Sequence, residues 1–191
     1  MSEFELINQY FKSITVQRDD VLLGIGDDCA ILSPPPGKQL AVSTDTLISG
    51  IHFPANTSAE DIGYKSLAVN LSDLAAMGAE PAWVSLAITL PHANEAWISG
   101  FMQGFNQLAI KHNVALIGGD TTRGALSITV SVTGFVDKDR ALKRSNAKVG
   151  DVIFVTGNLG DARLGLESIL GNIKITEPDA QAYFLNCLNR P

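Results

Sequence analysis

The chain lacks most of the features that advertise a function. It has two cysteines, Cys29 and Cys187, far apart in sequence. They form no Cys-x-x-Cys motif and no disulfide framework, and this usage fits a reducing cytoplasm. The three histidines, His52, His92 and His112, have no zinc-ligand spacing. Basic residues number 14 against 20 acidic ones, for a net charge of −6. Without a basic run, charge-driven nucleic-acid binding is excluded. No apolar run reaches membrane length, and the acidic start Met1-Ser2-Glu3-Phe4-Glu5 does not read as a signal peptide. Gly-x-x-x-x-Gly-Lys-Ser/Thr is absent, Gly24-Ile25-Gly26 lacks the third glycine of a dinucleotide fingerprint, and no Gly-x-Ser-x-Gly elbow occurs. There are no internal repeats.

What is present is apolar sequence interrupted by carboxylates. Hydrophobic residues make up 46% of 191 residues, ample for a core. The length suits one large domain, or one domain with part of another. Gly24-Ile25-Gly26-Asp27-Asp28-Cys29-Ala30 sets two adjacent carboxylates behind a glycine-flanked turn. Ser43-Thr44-Asp45, Asn70-Leu71-Ser72-Asp73 and Gly118-Gly119-Asp120 follow, each at the edge of an apolar segment. A lone carboxylate is costly to bury there, and a pair converging to 4 Å repels by roughly 4 kcal/mol at an effective dielectric near 20. Convergence therefore calls for a cation. An oxygen-only ligand set points to Mg²⁺ and a phosphate-bearing substrate. Taken singly, each aspartate reads as a turn residue, a helix cap or a solvated position.

Periodicity predicts an α/β (α+β) fold with a mixed sheet and helices on one face. Glu3 to Lys12, with Phe4, Ile7, Tyr10 and Phe11 at helical spacing, reads as a short amphipathic helix. Val21 to Leu32 reads as strand, turn, strand, with the Asp pair inside. Gln39 to Asp45 is a short strand ending in Ser43, Thr44 and Asp45, and Gly50 to Pro54 is a loop. Ser58 and Asp61 form a capping pattern for a helix to about Met77, stopped by Gly78 and Pro81. Leu67, Leu71 and Leu74 are its core face; Ser66, Asn70 and Asp73 lie on a neighbouring face. Trp83 to Leu90 is a strand, and Asn94 caps a second helix to about His112 that buries Trp97, Phe101, Phe105 and Leu108. Val114 to Ile117 is a short buried strand and Gly118 to Gly124 a turn. Leu126 to Val136 alternates cleanly, so its outer face suits a subunit interface. A boundary in the polar stretch 137–150 gives domains 1–137 and 138–191. Asp151 to Gly157 reads as a new strand, with helices from about Ala162 and from Pro178 to Leu188. One strand and two helices make no independent core, so this segment reads as the start of a truncated C-terminal α/β domain.

Phosphate handling then falls to carboxylates and backbone amides. Gly118 and Gly119 let amides approach a phosphate closely, with Asp120 holding a metal on it. Arg144 is a candidate bidentate phosphate contact, and His52, beside Phe53, a candidate substrate contact. Each also reads as an ordinary surface or loop residue. Mg²⁺ on Asp28, Asp45, Asp73 and Asp120 would neutralise and align phosphates for phosphoryl transfer. A phosphate-oxygen acceptor is already ionised at neutral pH and needs no general base, which fits the lack of an obvious catalytic histidine.

Four of these stretches, in this order, resemble the thiamine-monophosphate kinase family. They are Gly24-Ile25-Gly26-Asp27-Asp28-Cys29-Ala30, Ser43-Thr44-Asp45-Thr46-Leu47 with His52-Phe53, Ala68 through Ala79, and Ile117-Gly118-Gly119-Asp120-Thr121-Thr122-Arg123-Gly124. Thr156-Gly157 and Gly160-Asp161 extend the likeness over essentially the whole chain. The resemblance implies the fold of aminoimidazole ribonucleotide synthetase: an N-terminal α/β domain that dimerises through its sheet, then a C-terminal α/β domain. It implies ATP-dependent phosphorylation of thiamine phosphate to thiamine diphosphate, with several Mg²⁺ ions, by a cytoplasmic homodimer. By position, Asp28, Ser43, Thr44, Asp45, Asp73 and Asp120 correspond to metal ligands. Gly119, Asp120 and Arg144 correspond to nucleotide contacts, and His52 to a substrate contact. Met102 stands where the family has an aromatic residue near the nucleotide. The family's Asp-Ile-Ser-Asp-Gly-Leu and Gly-Gly-Glu-Asp-Tyr segments do not occur here, so the chain is expected to be a fragment with little kinase activity. Two other readings stand beside this one. One is another ATP-dependent enzyme of the superfamily, such as a ring-closing synthetase or a maturation factor. The other is a non-catalytic Mg-nucleotide-binding dimerisation module.

Overall fold

The computed structural model describes residues 7–12 and 16–191. Its backbone divides into two compact units, Met1–Leu142 and Lys143–Pro191. Of the expected first helix, residues 3–6 lie outside the described residues, and Ile7–Lys12 forms a π-helical turn that buries Phe11.

The first unit is built on strands β3 (Lys38–Ile48), β4 (Glu80–Leu90), β5 (Ala115–Arg123) and β6 (Ser127–Asp137), in spatial order β3-β6-β4-β5. β6 runs antiparallel to both β3 and β4, whereas β4 and β5 are parallel. A separate antiparallel ribbon joins β1 (Val21–Leu23) to β2 (Ile31–Leu32), with the Asp27-Asp28 turn between them. β3 is longer than the expected Gln39 to Asp45, and Ser43, Thr44 and Asp45 sit in its middle rather than at its end. The cause is β6, which offers a ladder partner to each residue from Lys38 to Ile48. β5 likewise runs straight through Gly118 to Arg123, expected as a turn, because β4 stays paired with it as far as Leu90 opposite Arg123. The ladder overrides the turn preference of the glycines. One irregularity remains: Val84 pairs with Leu116 and Ser85 with Gly118, so Ile117 is the extra residue of a bulge.

Helices α1 (Ala59–Ala76) and α2 (Glu95–Lys111) cover one face of this sheet. Both start where their caps predict. Ser58 Oγ accepts the Asp61 amide at 3.1 Å, and Asn94 Oδ1 accepts the Trp97 amide at 3.1 Å. Leu67, Leu71 and Leu74 of α1 and Phe101, Phe105 and Leu108 of α2 meet Leu86, Ile88, Ile128, Val130 and Val132 from the sheet. Trp97 is only half-buried but stacks on Phe101 at 5.4 Å. The helices touch backbone to backbone. A Cβ on Gly63 would stand 1.9 Å from the Phe101 carbonyl oxygen, and one on Gly104 would stand 1.9 Å from that of Glu60.

A smaller cluster on the other side of the sheet joins Trp83, Ala115 and Phe135, with Val21 and Leu32 of the ribbon packed on it. A polar pin fixes the incoming chain there. Arg18 bonds both carboxylate oxygens of Asp20, at 2.9 and 2.6 Å, and donates to the Asn113 carbonyl at 2.6 Å. Trp83 Nε1 donates to Asp20 at 2.9 Å. The side chains of Arg18 and Asp20 are only 12% and 17% exposed. The Arg18 hydrogen bond, opposed by burial and helped by Trp83, holds the Asp20 carboxyl below its ordinary value.

In the second unit, α3 (Asp161–Ile169) and α4 (Pro178–Asn189) pack as a hairpin. Tyr183 donates to Asp161 at 2.7 Å across it. The expected strand from Asp151 to Gly157 does not form. No neighbouring strand pairs with it among the described residues, and Val152, Ile153 and Phe154 stand 74%, 92% and 87% exposed. Among the described residues no helix is long and apolar enough to cross a membrane.

Two outcomes are expected. Gly104→Ala should force α1 and α2 apart and lower stability by about 1–3 kcal/mol or more, read as a lower urea midpoint. Asp20→Asn should cost about 1–3 kcal/mol at pH 7, because it strips a partly buried guanidinium of its partner. The wild-type pin is complete above the ordinary carboxylate range and fades as pH falls through the lowered pKa of Asp20. The gap between wild type and variant should therefore narrow in acid, measured by urea unfolding at each pH.

Candidate functional site

The first group of candidates surrounds a cavity of ≈ 530 Å³. The Asp27-Asp28 turn forms one wall and Gly118, Gly119 and Asp120 of β5 another, with Phe11, Leu86 and Leu116 as apolar lining. Asp27 Oδ1 accepts the Asp28 amide at 2.8 Å, so the Asp27 carboxylate shapes the turn, while the Asp28 carboxylate takes no part in that bond. Gly119 has a steric reason for its identity: a Cβ there would stand 1.8 Å from the Leu86 carbonyl oxygen. Through the Ile117 bulge, Asp120 falls in register with Ala87 and Thr129, on the face away from the helices.

The second group lies on β3 and α1. Ser43 and Asp45 alternate with Thr44, so they face the helix side and Thr44 the open side. Ser43 Oγ donates to Asp73 Oδ2 at 2.5 Å, tying the exposed carboxylate near the end of α1 to the strand. Ser66 and Asn70, the other members of that helix face, are fully buried and bond back to helix carbonyls, at 2.9 and 3.0 Å. Asn70 Oδ1 is buried without a hydrogen-bond partner among the described residues. Thr44 shares a 2.7 Å hydrogen bond with Ser131 on the opposite face, so its hydroxyl is engaged there. Asp28, Asp45, Asp73 and Asp120 thus divide between a cavity at the β5 edge and the β3–α1 junction. Among the described residues, no three acidic, histidine or cysteine side chains gather closely enough to hold a metal by themselves.

That dispersal suits Mg²⁺ better than a caged ion. Mg²⁺ keeps several waters and binds through one or two carboxylates together with substrate phosphates. The donors offered here are all oxygen, which fits such a hard ion.

His52 sits in the loop after β3, where the buried Phe53 anchors the turn through the Gly50 amide at 2.9 Å. Its Nδ1 accepts the Ile48 amide at 2.9 Å. In the neutral ring the proton is therefore on Nε2, which is left as a donor on an exposed residue. Arg144 opens a short 3₁₀ turn, Arg144–Asn146, in the second unit and is exposed. Met102, which stands where the family has an aromatic residue near the nucleotide, is 1% exposed and belongs to the core of α2. Lys12 was not among the expected residues, yet it lines the cavity beside Asp27 and Asp28. A single lysine at the end of a short apolar helix carries no sequence signal for such a place.

Residues 26–136 match the family described as AIR synthase related protein, N-terminal domain, and the chain belongs to that family. Within it, the similarity runs to one enzyme in particular. The chain is 52% identical over 170 residues to the thiamine-monophosphate kinase of Haemophilus influenzae, covering 89% of this chain and 52% of that one. It is 49% identical over 189 residues to that of Escherichia coli K12, covering 99% and 58%. The solved thiamine-monophosphate kinase of Stenotrophomonas maltophilia superposes with a TM-score of 0.87 at 50% identity, covering 100% of this chain and 61% of that one. AaThiL, solved with AMPPCP and TMP, gives a TM-score of 0.75 at 31% identity, covering 99% and 59%. The chain spans between half and two thirds of the length of these relatives.

The His52 tautomer is open to measurement. Two-bond ¹H–¹⁵N spectra at neutral pH should show Nε2 protonated and Nδ1 bare; the reverse pattern would contradict the Ile48 hydrogen bond.

Proposed function

We propose that the chain forms the Mg–ATP-binding part of a thiamine-monophosphate kinase, which transfers the terminal phosphoryl group of ATP to thiamine phosphate to give thiamine diphosphate. The observation that carries this reading is the cavity where the Asp27-Asp28 turn meets Gly118, Gly119 and Asp120, in a chain about half identical to thiamine-monophosphate kinases over most of its length.

Asp28 and Asp120 would hold Mg²⁺ at the cavity, and Asp45 and Asp73 would do so at the β3–α1 junction, with Ser43 orienting Asp73. Thr44, whose hydroxyl is bonded to Ser131, would contribute its backbone carbonyl. Bound Mg²⁺ would supply charge neutralisation and in-line alignment of the phosphates. The close approach of Gly119 to β4 leaves its surface bare of side chain, so a phosphate can come near the backbone. Arg144 is assigned to the nucleotide, and the Nε2 proton of His52 to the thiamine phosphate. The acceptor oxygen is largely ionised at neutral pH, since a phosphate monoester loses its second proton near pH 6. The chain's residues then need only bind and orient.

Domains 1–137 and 138–191 would divide the work between nucleotide binding and the beginning of a C-terminal α/β domain. The open face of the sheet, with Leu40 and Val42 exposed among paired hydroxyls, would be the homodimer surface of a cytoplasmic enzyme.

Calorimetry and a coupled assay test this reading. The 191-residue chain should bind AMPPCP only with Mg²⁺ and release little ADP in the presence of ATP and thiamine phosphate. Asp45→Asn should weaken Mg–AMPPCP binding at least about tenfold with an unchanged thermal midpoint. Absence of AMPPCP binding by the wild-type chain would overturn the nucleotide assignment. Thiamine-phosphate-dependent turnover as fast as a full-length kinase would overturn the fragment assignment.

A further inference from the structure

We propose that Lys12 is a phosphate-binding residue of this site, its ammonium contacting a phosphoryl oxygen of the bound nucleotide; this rests on the Mg–nucleotide reading of the cavity. Lys12 ends the Ile7–Lys12 turn, whose Ile7, Asn8 and Phe11 also line the cavity. Its Nζ lies 2.9 Å from the point where a Cβ on Gly26 would stand. Gly26 has φ 124°, a conformation that side-chain-bearing residues avoid. The bare glycine therefore leaves room for the ammonium directly against the turn that carries Asp27 and Asp28.

Despite that position, Lys12 forms no ion pair among the described residues. The three ion pairs there are Arg18–Asp20, Lys38–Asp137 and Arg163–Glu167. An ammonium held beside carboxylates without pairing to one of them is available to a third party. The charged residues that line the cavity are Asp27, Asp28, Asp120 and Lys12, three acidic and one basic. A divalent cation bound to the aspartates would offset that excess, and an anion would then meet both the metal and the ammonium. The apolar lining of Phe11, Leu86 and Leu116 lowers the local dielectric and strengthens the contact. Lysine acts on phosphate as a point charge on a flexible stem, which tolerates the movement of a nucleotide settling onto its metals.

The test compares wild type, Lys12→Met, which keeps an apolar stem of similar length, and Lys12→Arg, which keeps the charge. Each is titrated with AMPPCP at saturating Mg²⁺ and, separately, with Mg²⁺ alone, and circular dichroism melting controls for folding. Lys12→Met should bind AMPPCP about tenfold more weakly, as expected for loss of one charge-assisted hydrogen bond. Its affinity for Mg²⁺ alone should stay equal or rise, and the salt dependence of AMPPCP binding should shrink. Lys12→Arg should stay within about threefold of wild type, less than half a tenfold step on the free-energy scale. If Lys12→Met binds AMPPCP as wild type does, Lys12 is only a counter-charge to the aspartates and the proposal falls while the nucleotide reading stands. If wild type itself does not bind AMPPCP, both fall together.

Discussion

The near-contact of two helix backbones governs the first unit. Gly63 and Gly104 let α1 and α2 approach until each presses on a carbonyl of the other, closer than any side chain would permit. A helix pair packed this tightly has little freedom to slide, since interiors this dense resist deformation. The depth at which α1 lies over the sheet is thereby set, and with it the position of Asp73 above Ser43. A short hydrogen bond between a serine on β3 and an aspartate near the helix end is a consequence of that depth. The place of Asp73 at the β3–α1 junction is therefore inherited from a contact near the start of the same helix.

Separation of the acidic groups by the sheet has an electrostatic meaning. Carboxylates a few ångströms apart in a poorly solvated pocket repel strongly, whereas those on opposite faces or opposite edges of a sheet interact weakly through solvent. The pair Asp28 and Asp120 at the cavity is thereby kept apart from the pair Asp45 and Asp73 at the β3–α1 junction, and among the described residues no three such groups gather into a cage. The parts that complete it, on this account, are phosphate oxygens and water. On the reading proposed above, such a site would bind its metal well only together with the nucleotide, which would couple the two ligands.

Legibility in the sequence followed the range of the interactions involved. Ser58 and Asn94 were readable because a cap is a matter of three residues, and both caps form with the partners their spacing predicts. The apolar stripes of α1 and β6 were readable because periodicity repeats itself. Gly118 to Arg123 was not, since glycine and threonine in a row look like a turn until a parallel neighbour supplies the ladder. Asp151 to Gly157 failed in the opposite direction: a good strand composition stays unpaired where no partner strand adjoins it. Of the site, the aspartates were visible as residue types at apolar boundaries. Their division between two places, the tautomer of His52, the burial of Met102 and the presence of Lys12 all depend on contacts between segments distant in sequence.

The single extra residue in β5 has a wider effect than its size suggests. Strict alternation from Leu116 would put Asp120 in the row of Leu86 and Ile88, under the helices, where an unpaired carboxylate is intolerable. The bulge at Ile117 instead delivers it to the solvent side. The strand thus contains a frame shift written in geometry: Leu116 is spelled for the core, and beyond Ile117 the alternation starts afresh, with Asp120 on the open face. Any change that smooths the bulge while keeping the residue count would misread every letter after it.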